Sequence, residues 1–133
     1  GNGTATVTGG SPRYRLYATK DGGTVAVAAL EDRFWTVCCD IAGLPAELRN
    51  DTAHPHATMA GLERIFASET TETWRARFEG RDCCCNVVRE LALALEDPHY
   101  RDRGLLATVL TVPGQASIAG LPVPIAASFR QDR

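Results

Sequence analysis

A chain of 133 residues and 14.3 kDa, 44% hydrophobic and 23% charged, has the size and make-up of one globular domain that can bury a core without disulfides or metal. Fourteen Lys+Arg against sixteen Asp+Glu leave a formal charge of −2 with no basic stripe, which argues against a nucleic-acid partner. Apolar runs such as Val25–Leu30 and Leu91–Leu95 fall short of the roughly 18 residues of a membrane span, and no charged-then-apolar leader opens the sequence; no membrane partner and a cytoplasmic location are expected.

Residues 1–10 (GNGTATVTGG) are rich in Gly and Thr and read as a linker or cloning scar. Arg13–Thr19 alternates around Tyr14, Leu16 and Tyr17, Asp21-Gly22-Gly23 supplies a turn, and Thr24–Leu30 is an apolar, β-branched run; together they predict a β-hairpin. Glu31-Asp32 places two carboxylates where a helix begins, Phe34, Val37, Cys38 and Ile41 recur at helical spacing, and Gly43 with Pro45 ends it. A second helix is expected over Ala57–Ala67, with Met59, Leu62, Ile65 and Phe66 on one face. Thr71 is the expected cap of a third, carrying Trp74 and Phe78 and ended by Gly80. Asp82–Cys85 reads as a buried strand or turn, and Asn86 as the cap of a fourth helix through Val88, Leu91 and Leu95, stopped by Asp97-Pro98. Leu105–Val112 is strand-like, Pro113-Gly114 a turn, Gln115–Ile118 a returning strand, and Gly120–Pro124 extended. With helices clustered between strands, the expected class is α+β: a small antiparallel sheet packed with several short helices in two layers.

Five cysteines stand as Cys38-Cys39 and Cys83-Cys84-Cys85, adjacent rather than at metal-ligand spacing, and read as small buried hydrophobes in a reducing compartment, with no metal site. His54-Pro55-His56 reads as a solvated loop. No phosphate-binding glycine loop or exposed-serine motif is present. Two positions stand out. Glu31 follows an apolar strand at a helix mouth, where its plainest role is a cap, and Cys84 lies beside Asp82, where its plainest role is core packing.

The same residues carry a family resemblance. Pro12, Tyr14, Tyr17, Asp21, Gly22, Glu31, Phe34 and Trp35 fall in register with the pattern Pro-x-Tyr-x-x-Tyr-x-x-x-Asp-Gly, an apolar strand, then Glu-x-x-Phe-Trp. This block resembles family III CoA-transferases, which include alpha-methylacyl-CoA racemases and carnitine- and formyl-CoA transferases. Trp74, Asp82-x-Cys84, Asp97-Pro98 and Arg103-Gly104 are similar to later landmarks; Val87 stands where the family often has proline, and the cysteine triplet departs from its pattern.

The resemblance implies a small domain over residues 11–128, between the linker 1–10 and a tail 129–133. It implies a parent acting on acyl-CoA thioesters by CoA transfer or α-proton racemisation, with no cofactor beyond that substrate. The catalytic aspartate and histidine would come from a large domain, and a second subunit would interlock with the first. By the same resemblance Glu31 supports that histidine, while Tyr14 and Cys84 contact substrate, and the chain alone is expected to be inactive. A non-catalytic binding or interaction module is the alternative.

Overall fold

Alternation in the first thirty residues becomes an antiparallel hairpin in the computed structural model, which describes residues 3–122, 124–125 and 127–129. Strands β1 (Tyr14–Ala18) and β2 (Thr24–Ala28) pair with Tyr14 opposite Ala28 and Ala18 opposite Thr24. On the far edge of β2, β3 (Cys85–Val87) completes a sheet of order β1-β2-β3, with Val25 opposite Val87 and Val27 opposite Cys85. Because successive side chains alternate, Tyr17, Val25, Val27 and Val87 are buried on one face. Tyr14, Leu16, Ala26 and Asn86 therefore share the other face.

Helices α1 (Asp32–Ala42), α2 (Pro55–Phe66) and α3 (Thr71–Phe78) join the buried sheet face in one core with Phe34, Trp35, Cys38, Leu62, Phe66 and Trp74. A run of rings ties them together: Tyr17 to Phe66 at 5.0 Å, Phe66 to Trp74 at 4.8 Å, and Trp74 to Phe78 at 5.9 Å. The polar tips of these rings are satisfied, since Tyr17 Oη donates to the Pro12 carbonyl at 2.9 Å and Trp74 Nε1 to that of Phe66 at 3.0 Å. Gly43 ends α1 in the left-handed region (φ 68°), and its N–H closes on the last-turn carbonyls of Asp40 and Cys39.

The chain divides into two compact units, Gly1–Val88 and Arg89–Arg133. The second holds α4 (Leu91–Leu95), α5 (Pro98–Asp102), a two-stranded sheet of β4 (Thr108–Leu110) and β5 (Ile118–Gly120), and a 3-10 turn at Ala127–Phe129. Asp97 caps α5 by accepting from the His99 N–H at 2.9 Å, and Arg89 pairs with the same carboxylate. Among the described residues of this unit, Leu91, Leu93, Val109, Ile118 and Phe129 are all exposed.

The α+β class holds, with the strands divided between two antiparallel sheets. Four local expectations are corrected. Asn86 does not cap a helix: it sits in β3 opposite Ala26, and α4 begins five residues later behind Glu90. The open edge of β2 recruits residues 85–87, with the Val88 N–H adding a bond to the Thr24 carbonyl at 2.8 Å, so tertiary pairing overrides a local capping signal. The cap of α3 is Thr70, whose hydroxyl accepts from the Thr73 N–H, and Thr71 is the first helical residue. His54 is the N-cap and Pro55 the first residue of α2, so this pair opens a helix instead of a loop; proline at N1 gives up an N–H that lacks a partner there anyway. The returning strand lies at Ile118–Gly120 instead of Gln115–Ile118, paired to Thr108–Leu110. The helix α5, opened by Asp97-Pro98, adds an element where only a stop was read. Residues 1–2, 130–133 and Val123, which fall in the linker, tail and extended-segment expectations, lie outside the described residues. Among the described residues no helix is long and apolar enough to cross a membrane.

Candidate functional site

Tyr14, Glu31 and Cys84 are far apart in sequence, and the three-stranded sheet brings them to one end. Tyr14 opens β1 directly opposite Ala28, and on the other side of Ala28 the Cys84 carbonyl accepts the Ala28 N–H at 2.9 Å. Tyr14, Ala28 and Cys84 thus form one transverse row. Glu31 follows three residues beyond Ala28, where β2 gives way to α1. The Tyr14 side chain is half-open to solvent and Cys84 is exposed, so neither belongs to the core. Cys84 has φ 49°, a left-handed conformation that non-glycine residues seldom adopt, and it lets residues 85–87 turn into the sheet immediately afterwards.

Glu31 occupies the N-cap of α1 without acting as one. Its backbone is extended (φ −77°, ψ 142°), and its carboxylate accepts no hydrogen bond from the first turn. Its carbonyl does accept the Trp35 N–H at 2.9 Å, so the helix start is closed by backbone alone. No partner holds the carboxylate among the described residues, and the exposed side chain is presented to whatever approaches this end of the sheet.

The turn that presents Glu31 is held by Arg13. Arg13 Nε and Nη2 make a two-pronged pair with Asp51, at 3.0 and 2.8 Å. Arg13 Nη1 donates to the Leu30 carbonyl at 3.1 Å and to Asp32 Oδ1 at 2.6 Å, and the guanidinium lies 5.1 Å from the Trp35 ring centre. Burial works against the guanidinium charge, but hydrogen bonds and attraction from Asp51 and Asp32 prevail and raise its pKa. Sequence reading missed this residue. Its partners lie 17, 19 and 38 positions away, so no local spacing marks it.

At the opposite end of the hairpin, Asp21 locks the β1–β2 turn to α3. Its carboxylate accepts the hydroxyls of Thr19 at 2.6 Å and Thr71 at 2.7 Å, and the Thr71 N–H at 3.1 Å; these bonds hold it well below the usual carboxylate range. A Cβ on Gly23 would lie 2.4 Å from Thr71 Oγ1, so this close approach needs glycine. The lock stands at the tip of the hairpin and shares no contact with the row.

The remaining cysteines behave as packing residues. Cys38, Cys39 and Cys83 are buried, and burial pushes the Cys39 thiol up to about 12 and raises that of Cys83. Cys85 is raised by its hydrogen bond to Cys38 and then by burial, and its thiol donates to the Cys83 carbonyl at 3.2 Å. Among the described residues, no three His, Cys, Asp or Glu side chains gather around a point where one ion would sit. An open groove of about 670 Å³ runs over the outward sheet face, lined among others by Val7, Tyr14, Leu16, Ala26 and Ala28. Tyr14 and Ala28 are thus shared between groove and row, while Glu31 and Cys84 stand outside the groove.

Three comparisons bear on this arrangement. The family model described as CoA-transferase family III matches residues 2–131. Two curated relatives named "Alpha-methylacyl-CoA racemase", from Mus musculus and Homo sapiens, are 31% and 30% identical over 103 residues, covering 75% of this chain and 27% of theirs. A CaiB/baiF CoA-transferase family protein of Caenorhabditis elegans is 32% identical over 87 residues, 65% of this chain and 25% of its own length. Among solved structures, a mutant of Rv3272 from Mycobacterium tuberculosis matches the fold with a TM-score of 0.65 at 19% identity, over 90% of this chain and 35% of that one. The chain therefore spans about a quarter of the length of the curated relatives it matches.

Proposed function

As the chain belongs to CoA-transferase family III, we propose that it serves a longer protein acting on acyl-CoA thioesters, with the row Tyr14–Ala28–Cys84 and Glu31 facing the reacting group. The reaction we assign is exchange of the proton α to the thioester carbonyl, through an enolate, with an acid/base group on each face of that carbon. CoA transfer is the other chemistry open to the family. The two racemase-named relatives and the unbonded carboxylate of Glu31 favour proton exchange.

Glu31 carries the reading. A carboxylate at a helix mouth that does not cap the helix and, among the described residues, pairs with no cation is free to accept from an imidazole N–H brought by another part of the protein. Such a bond fixes the tautomer of the ring and favours its charged form, raising the histidine's pKa. We assign that histidine, and the aspartate used by transferase relatives, to a large domain outside these residues. Tyr14 and Cys84 then border the acyl thioester. The proposed reaction needs no cofactor beyond its CoA substrate, and the buried thiols Cys38, Cys39 and Cys83 support a reducing, cytoplasmic setting. We further infer a second, interlocked subunit in the complete protein.

The test is deuterium uptake at the α-carbon of an acyl-CoA in heavy water, catalysed by the complete protein. Glu31→Gln is expected to slow uptake about ten- to a thousandfold, the range for a lost acid/base support, without unfolding the protein. Uptake at the unsubstituted rate would reduce Glu31 to part of the helix start. The 133-residue chain alone is expected to show no turnover.

A further inference from the structure

Arg13 touches the chain on both sides of Glu31. Its Nη1 holds the carbonyl of Leu30, the residue before, at 3.1 Å, and the carboxylate of Asp32, the residue after, at 2.6 Å. Its other two nitrogens are anchored on Asp51, in the loop that leads into α2, and its plane is backed by Trp35. Trp35 is itself held in place, its Nε1 donating to the Arg49 carbonyl at 3.0 Å. On the backbone side, Arg13 immediately precedes Tyr14, whose own N–H is closed onto the Ser11 carbonyl at 3.1 Å. The Arg13 side chain is 17% exposed and that of Asp51 11%, so the anchor is largely withdrawn from water; the Asp32 side chain, at 93%, is the outward leg.

We propose that Arg13 is a positioning residue: it fixes the Glu31 turn relative to Tyr14, and so sets where the free carboxylate meets its partner. This rests on the reading of Glu31 given above. The physical case is geometric. Among the described residues Glu31 has no side-chain bond of its own to orient it, so its direction is inherited from the backbone at residues 30–32, which Arg13 holds through the Leu30 carbonyl on one flank and the Asp32 carboxylate on the other. A planar fork with donors fixed in direction reaches Asp51, Leu30 and Asp32 at once; a lysine ammonium, a point charge on a flexible stem, cannot span them together. Small displacements of an acid/base support are costly because the proton-transfer geometry is narrow.

The experiment uses the complete protein and four variants: Arg13→Lys, Asp32→Asn, Glu31→Gln, and Arg13→Lys combined with Glu31→Gln. Alpha-proton exchange of an acyl-CoA is followed across pH, with melting temperatures on the same samples. Arg13→Lys is expected to lower kcat about tenfold while KM changes less than about twofold, since the loss falls on the reacting step and leaves substrate binding in place. The apparent pKa assigned to the histidine should move down, in the direction Glu31→Gln moves it, because a misplaced carboxylate supports the imidazolium less well. Asp32→Asn, which removes the exposed leg alone, should give a smaller loss in the same direction, and it decides the matter if Arg13→Lys does not fold. The double variant should be no slower than Glu31→Gln, because there is no carboxylate left to position. If Glu31→Gln is slow while Arg13→Lys and Asp32→Asn exchange at the unsubstituted rate and pH profile, the role of Arg13 is overturned and that of Glu31 stands. It is overturned too if the double variant shows the product of the two single losses. Unsubstituted rates in Glu31→Gln overturn the reading of Glu31, and the positioning role with it.

Discussion

The anchor on Asp51 makes a stability prediction whose size follows from the geometry. In Asp51→Asn the volume is kept, but a carboxylate that accepts two charged donors at 2.8 and 3.0 Å is replaced by an amide with a single acceptor oxygen. Removing one partner of a buried ion pair costs about 3–5 kcal/mol, because the other charge is left without compensation. Arg13 is not stranded to that degree: it keeps Asp32 and the Leu30 carbonyl, and it is 17% exposed. A loss of about 2 kcal/mol is therefore expected, which for a unit of this size lowers the melting temperature by about 8–15 °C. The control is Asp32→Asn, whose carboxylate is 93% exposed, and whose loss should stay within about 0.5 kcal/mol. Thermal unfolding of the 133-residue chain, read by circular dichroism at low and moderate salt, measures both. Asp51→Asn should lose stability at either salt concentration, since a largely buried pair is weakly screened. Equal effects of the two variants, or a loss at Asp51 that vanishes with salt, would refute the view that Asp51 is the buried anchor.

Trp74 is fully buried at the centre of the ring stack, so Trp74→Ala should cost about 3–5 kcal/mol in a urea titration, and a loss under 1 kcal/mol would mean the stack does not organise the core. Asp21, held below its ordinary 3.8 by Thr19 and Thr71, has a folded-state pKa under its unfolded one, so its stabilisation is complete above about pH 4 and is lost as pH falls further. Melting temperatures of the unsubstituted chain and Asp21→Asn should therefore differ near neutrality and draw steadily closer as pH falls below about 4; a gap independent of pH would contradict this. With a thiol reagent Cys84 should react first in the native chain, while Cys38, Cys39 and Cys83 wait for denaturant; rapid labelling of all five would place the buried thiols elsewhere.

What the sequence made legible was mostly short-range. The hairpin, α1 with its Gly43 stop and the aromatic positions of α2 and α3 each follow from periodicity and turn residues within a few positions of one another. Asn86 shows where this fails: its capping chemistry is real, but an unfilled edge on β2 captures residues 85–87 first. Thr71 shows the same at smaller scale, because its hydroxyl and N–H go to Asp21, fifty residues earlier, and leave the cap to Thr70. At the candidate site, the type and position of Glu31 could be read locally, and its plain reading as a cap was the wrong one, since the carboxylate does not bond to the first turn. Cys84 was plainest as a core residue and lies exposed in a left-handed turn. That Tyr14, Ala28 and Cys84 share a row, and that Arg13 grips both flanks of Glu31, are consequences of strand register and long-range pairing, which no local pattern encodes.

A crystal structure of the complete protein with an unreactive acyl-CoA analogue would show whether Glu31 and the Tyr14–Ala28–Cys84 row face the reacting thioester. The analogue's carbonyl is expected against this end of the sheet, with a Glu31 carboxylate oxygen about 2.6–3.2 Å from the ring nitrogen of a histidine supplied from outside these residues. A thioester bound elsewhere, with Glu31 open to solvent in the complex, would contradict it.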